Sequence, residues 1–244
     1  METIEKKQWK NLLALAEKGG AGAQWEVGYY YEEGAVDELE NLLVKKNPLK
    51  ALYWHTLSAE QGEPAAQISL SNLLSSGEGV ARDYNTAIHR AKKAMKQGNA
   101  GAAYNLGTIY RDLNKPAMAF RNYQKAIIMG DSDALLQVGL CYSFGYGTKQ
   151  NLDAAYHSFQ QIIADDSSKS CPRSKENAYY WMAVFNLIGM GSTKKSVINA
   201  RKMLELANID DDHEQANEIL NVIGKTKYLQ QAVAWLKLRQ LPKL

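Results

Sequence analysis

The chain has 244 residues, of which 45% are hydrophobic and 23% charged, the profile of an ordinary water-soluble protein and not of a disordered, collagen-like or membrane-embedded one. Its 29 basic and 26 acidic side chains leave a net charge of +3, too near balance to argue for a nucleic-acid or membrane surface. Few prolines and few β-branched runs, beside many Trp and Tyr, favour helix.

Met1 to Lys18 mixes Glu2, Glu5, Lys6, Lys7, Lys10, Glu17 and Lys18 with scattered apolar residues and lacks the continuous apolar core of a secretory signal. With Cys141 and Cys171 the only cysteines, a disulfide framework is not expected. Both are read as reduced, Cys141 as a buried inert thiol, and the protein as cytoplasmic. Trp9 to Lys18 carries Leu12, Leu13, Leu15 and Ala16 ahead of Gly19. Residues 1–19 are therefore expected to form an N-terminal helical cap.

From Gly20 the sequence repeats. Starting from Gly20, Glu63, Asn99, Asp131, Lys175 and His213, the third residue on is always alanine: Ala23, Ala66, Ala102, Ala134, Ala178 and Ala216. The seventh is Val27, Leu70, Leu106, Val138, Met182 and Leu220, and the eighth is Gly28, Ser71, Gly107, Gly139, Ala183 and Asn221. An Ala, then an aliphatic residue, then a small one predicts a helix with an apolar stripe and a point of close approach. A second helix follows in each unit, marked by Ala51, Ala87, Ala119, Ala155 and Ala200, with Trp54, Tyr123, Phe159 and Leu204 within one further turn. Gly62, Gly98 and Gly130 close three of these second helices. Between the paired helices stand Gly34, Gly77 with Gly79, Gly145 with Gly147, and Gly189 with Gly191, as turn residues. The period is about 36 residues, the range of helical-hairpin repeats.

Departures from the period fall where loops can vary. Asp37 to Asn47 is an insertion, Asp165 to Arg173 is a second one that reads as a solvated loop, and the third unit has lost its glycine turn, with Pro116 near the start of its second helix. Residues 20–224 are thus expected to form an array of about five repeats. Thr226 to Gln240 is amphipathic, with Leu229, Val233 and Leu236 on one stripe, so residues 225–244 are expected to be a basic capping helix. Lys225, Lys227, Lys237, Arg239 and Lys243 lie there without an acid, and the overall basicity is a property of this tail. A solvated capping face explains it; docking of an acidic partner is the alternative.

The run from Ala21 to Gly34 (AGAQWEVGYYYEEG) resembles the first helix of a Sel1-like repeat, and Leu74 to Tyr84 and Tyr142 to Thr148 are similar to that family's Y-x-x-G-x-G-V turn. The resemblance implies an all-α fold: an α-solenoid of stacked helix-turn-helix repeats, in the tetratricopeptide-like superfamily, with helical caps at both ends.

Chemistry is not signalled. His55, His89 and His157 lie in second helices of different repeats without ligand spacing, and His213 among Asp210, Asp211, Asp212 and Glu214 fits a helix start, where it would cap free amides. Gly77-Glu78-Gly79 and Gly145-Tyr146-Gly147 follow no strand and precede no Lys-Ser/Thr, so they are not phosphate loops. No cofactor, metal, nucleic acid or membrane is expected, and no enzyme; oligomeric state is left open. What the resemblance implies instead is binding of another protein or peptide on a concave surface lined by the first helices. Tyr29, Glu32, Glu33, Asn72, Arg111, Asp112, Leu140, Phe144, Val184 and Leu187 are the candidate contacts, aromatic and acidic in the first half and apolar in the second. Trp25, Ile68, Tyr104, Leu136 and Tyr180, one turn earlier, are expected to pack between hairpins. The functional expectation is a non-catalytic bacterial adaptor. The alternatives are an immunity protein neutralising a secreted toxin, and an enzyme or small-ligand binder with its site in the groove.

Overall fold

The computed structural model describes residues 2–165, 172–210 and 212–225. In chain order its elements are β1 (Glu2–Thr3), α1 (Lys6–Glu17), α2 (Ala21–Glu33), β2 (Ala35–Val36), β3 (Leu42–Val44), α3 (Pro48–Glu60), α4 (Pro64–Ser76), α5 (Tyr84–Lys96), α6 (Ala100–Asp112), α7 (Pro116–Ile128), α8 (Ala134–Phe144), α9 (Leu152–Ala164), α10 (Pro172–Ile188), α11 (Val197–Ala207) and α12 (Glu214–Lys225). They form two compact units, one ending at Ile109 and the other beginning at Tyr110, inside α6. In the first, α1 packs on α2, α2 on α3, α3 on α4 and α4 on α5. In the second, contacts run from α7 to α8 and onward pair by pair to α12. These are the consecutive hairpins of an α-solenoid.

The repeated residues explain the packing. Ala66, Ala102, Ala134, Ala178 and Ala216 of the first helices, and Ala51, Ala87, Ala119, Ala155 and Ala200 of the second, are all fully buried. One turn after the second alanine stand His55, Ala91, Tyr123, Phe159 and Leu204, also buried. The small residue of the first helix admits that side chain: a Cβ on Gly28 would lie 2.6 Å from the Cε1 and Nδ1 of His55. In the first repeat the core position is therefore His55, and not Trp54.

Second helices begin with side-chain caps. Asn47 Oδ1 accepts from the Lys50 amide at 3.0 Å, Asp83 from Asn85 and Thr86 at 3.0 and 3.1 Å, Asn151 from Ala154 at 3.0 Å, and Ser196 from Asn199 at 3.2 Å. Such caps contribute about 1 kcal/mol each. Where the third repeat is shortened, Lys115 gives no such cap and Pro116 instead sets the backbone for α7. The missing glycine turn is replaced there by Asn114, at φ 52°.

The two glycines of each turn have separate roles. Gly77 and Gly145 end α4 and α8 in the left-handed conformation, at φ 69° and 68°. The second glycine lies against the start of the preceding repeat's second helix. A Cβ on Gly79 would stand 2.5 Å from Pro48 Cγ, one on Gly147 would overlap the Pro116 carbonyl, and one on Gly191 would meet Asp153 Oδ1 at 2.7 Å.

The first insertion departs from the all-helical expectation. It forms a hairpin in which β2 pairs antiparallel with β3, while β1 adds in parallel on the other side of β2. Asp37 closes the hairpin by accepting from the amides of Leu39 and Asn41, both at 2.9 Å, and from Asn41 Nδ2. Those bonds from Asn41 hold the Asp37 carboxyl below its ordinary range. Ile4, Ala35 and Val44 form a small core beneath Trp9, Leu12, Tyr30 and Tyr31. At the second insertion, Pro172 and Arg173 are already helical, so α10 starts earlier than the period predicts. Cys171 and the C-terminal cap expected beyond residue 225 lie outside the described residues.

Candidate partner-binding surface

In the first unit, Tyr29, Glu32 and Glu33 occupy the last turns of α2 and Asn72 the middle of α4. Asn72 is exposed, and Glu33 is exposed and pairs with Lys46 at 3.4 Å. Tyr29 is half-buried and donates its hydroxyl to Glu2 Oε1 at 2.9 Å, a bond that raises its pKa. Glu32 is turned inward: its Oε2 lies 3.1 Å from Nε2 of fully buried His55, whose Nδ1 has no hydrogen-bond partner among the described residues. Glu32 thus secures a core imidazole as well as reaching the surface. Trp25 is half-buried and bonds through Nε1 to Ser69 Oγ at 3.2 Å, joining the two first helices α2 and α4.

In the second unit, Arg111 and Asp112 end α6 and pair with each other at 3.4 Å, both partly open to solvent. The Arg111 carbonyl also accepts from the Tyr146 hydroxyl at 3.3 Å. Leu140 and Phe144 on α8 are half-buried and pack on the core between α8, α9 and α10, Phe144 edge-to-face on Trp181 with ring centroids 5.6 Å apart. Val184 and Leu187 are not surface residues: they are 1% and 0% exposed. The cause is that α10 contacts α8, α9 and α11, and every residue from Trp181 to Leu187 is buried. Val184 lies with Phe159 and Phe185, Leu187 with Leu204 and Ile219. The half of α10 from Trp181 to Leu187 is enclosed on every side, and a groove-facing register does not survive that burial. Asn186 within it is satisfied by donating to the Met182 carbonyl at 2.8 Å.

Two features lie outside the candidate contacts, the first of them the helix-start cap that the sequence predicts. His213 caps α12: its Nδ1 accepts from the Ala216 amide at 3.3 Å, and its ring stacks on Tyr180 at 5.1 Å. The other is a cavity of about 590 Å³ in the first unit, walled by Trp9, Tyr31, Leu43, Lys45, Lys46 and Lys50 among others. The signal for it was the insertion itself, with Lys45-Lys46 following an apolar triplet. A smaller cavity of about 190 Å³ beside it is lined by Glu32, Glu33 and Glu78 with Lys46. Among the described residues, no three His, Cys, Asp or Glu gather as a metal site would need, and no helix is long and apolar enough to cross a membrane.

The family described as Sel1 repeat matches residues 21–63, 64–99, 100–131, 132–161 and 176–208. A component of an ERAD-associated E3 ubiquitin-protein ligase, HRD3 of Candida glabrata, is 32% identical over 121 residues, covering 46% of this chain and 14% of that protein. Chitin synthase regulatory factor 2 of Schizosaccharomyces pombe is 25% identical over 177 residues, covering 64% of this chain and 33% of that protein. The chain therefore spans a third or less of these curated relatives. Among solved structures, c5321, a protective antigen of uropathogenic Escherichia coli with an SLR fold, superposes with a TM-score of 0.71 at 26% identity over 96% of this chain and 51% of that one. A Sel1 repeat protein from Oxalobacter formigenes gives 0.67 at 24% identity over 89% and 85% of the two chains.

Proposed function

Because the chain belongs to the Sel1 repeat family, we propose that it is a non-catalytic protein–protein interaction module, an adaptor that holds a partner protein or peptide on the face of its first helices. Proteins of this family generally mediate protein–protein interaction. The observation that carries the reading is the run of five Sel1 repeats. The relatives' names point the same way, one being a component of a ligase and another a regulatory factor. Glu33 and Asn72, on first helices of the first unit, and Arg111 and Asp112, at the end of α6 in the second, have access to solvent. Leu140 and Phe144 add half-buried apolar surface in the second unit. Half-buried apolar side chains beside charges open to solvent, as in the second unit, suit a protein partner.

The test is purification from the native source, followed by reconstitution of any stoichiometric partner from purified components. Glu33→Lys with Asn72→Lys, or Asp112→Lys, should weaken the reconstituted complex while the helical circular dichroism is unchanged. Retention of full affinity by both variants would move the site off this face. Absence of any stoichiometric protein partner would remove the adaptor reading itself.

A further inference from the structure

We infer that the cavity built by the first insertion is a docking site for an acidic segment of a partner protein, anchored by an aromatic or aliphatic side chain. This rests on the reading of the chain as an interaction module and names one of its surfaces.

A long insertion between its two helices is what the first repeat has and the others lack. Folded as β2–β3, it places Leu43 to Lys46 against Trp9 of α1 and Tyr31 of α2, and the walls close at Lys50 in the first turn of α3. The floor is apolar and aromatic: Trp9 meets Tyr31 edge-on with centroids 5.8 Å apart, beside Leu43. Three lysines, Lys45, Lys46 and Lys50, line the cavity, and no carboxylate of the described residues does. Lys46 is partly neutralised by Glu33 at 3.4 Å. Lys50 lies over the Tyr31 ring at 4.9 Å, which orients its charge without cancelling it. Like charges crowded on one cavity raise its potential, and a carboxylate relieves that repulsion as it enters. The volume of about 590 Å³ falls within the ordinary range of ligand pockets, enough for a short peptide segment. The neighbouring space lined by Glu32, Glu33 and Glu78 has the opposite charge and is only about 190 Å³. A basic segment is therefore directed away from the large cavity and an acidic one toward it. An aromatic and aliphatic floor beneath the charges selects a peptide over a bare anion.

The experiment selects from a displayed random hexapeptide library on the full chain, then measures the enriched peptides, made synthetically, by fluorescence anisotropy. The expected result is enrichment of net-negative peptides carrying Phe, Tyr or Leu. Lys45→Glu with Lys50→Glu should weaken their binding by about tenfold or more, equivalent to about 1.4 kcal/mol, and added salt should weaken it in the wild type. Both lysines are exposed, so the variant is expected to keep its circular dichroism. Lys45→Gln with Lys50→Gln, which only removes charge, should give a smaller loss in the same direction. Failure to enrich acidic peptides, equal affinity for the charge-reversed variant, or displacement by equimolar inorganic phosphate overturns the inference. A native partner that binds the charge-reversed variant as well as the wild type overturns it too, and leaves the adaptor reading standing.

Discussion

The Phe159 ring lies directly against the bare Cα of Gly139: a Cβ there would stand 2.5 Å from Phe159 Cε1. Gly139 is buried in α8 and Phe159 fully buried in α9, so the contact sets how closely the two helices of that repeat approach. Gly139→Ala should cost about 1–3 kcal/mol, because an added methyl in a filled core forces neighbouring side chains or backbone aside. Gly22→Ala is the control. That helical glycine has nothing within 4 Å of its would-be Cβ, and alanine there should stabilise by about 0.5–1 kcal/mol through helix propensity. Thermal melts of the two variants should move in opposite directions; a rise for Gly139→Ala would contradict the close packing, and a fall for Gly22→Ala the propensity gain.

His55 occupies in the first repeat the place that Phe159 takes in the fourth, and it needs Glu32 because Nε2 has its bond there. Glu32→Ala leaves both ring nitrogens buried without a partner, at a cost of about 1–3 kcal/mol. In a His55→Phe background the same change should cost almost nothing. A double-mutant cycle by denaturant unfolding reads the coupling directly; equal losses in both backgrounds would show that Glu32 acts on stability by another route.

These two repeats also mark how far the sequence could be read. The alanine stripe and the small residue, with the glycine turns where they occur, located the first and second helices of the repeats, because stacking fixes those residues at helical spacing. The four-residue step from the second alanine that gives Tyr123, Phe159 and Leu204 falls on His55 and not on Trp54, but a histidine at that step does not look like a core residue beside a tryptophan. The hairpin β2–β3 was invisible for a different reason. Its strands are two and three residues long, too short to show alternation, and one partner is β1 at the far end of α1 and α2. Val184 and Leu187 were misplaced because spacing assigns one apolar face to a helix, whereas α10 is enclosed by three.

Burial pulls the His213 imidazole below its ordinary pKa, against the carboxylates of Glu176 and Asp212 and with the help of Arg173. The folded protein therefore favours the neutral ring, which its cap to Ala216 also requires. Above about pH 6.5 the ring is neutral folded or unfolded, and its full contribution is present. As pH falls below that, the unfolded chain takes up the proton first, and stability declines until the folded value is passed. His213→Asn keeps a capping oxygen but does not titrate. The melting temperature of wild type relative to this variant should fall between about pH 7.5 and about pH 5.5; a constant difference would refute the assignment.

Burial pushes the Cys141 thiol up to about 12, with Arg111 pulling weakly the other way. Its thiolate is then scarce at neutral pH and screened from reagents. In a Cys171→Ala chain, iodoacetamide should leave the native protein unlabelled and add one carbamidomethyl group on unfolding, read by mass spectrometry. Rapid native labelling would contradict the burial of this residue in α8.

The second glycine of the turn has a consequence for biosynthesis. Gly79 rests on Pro48, Gly147 on Pro116 and Gly191 on the start of α9, so each of these turns covers a helix belonging to the repeat before it. A ribosome makes the chain from its N-terminus, so α3, α7 and α9 are all synthesised before the residues that cover their first turns. Each leaves the exit tunnel before the glycine that will cover its first turn has emerged.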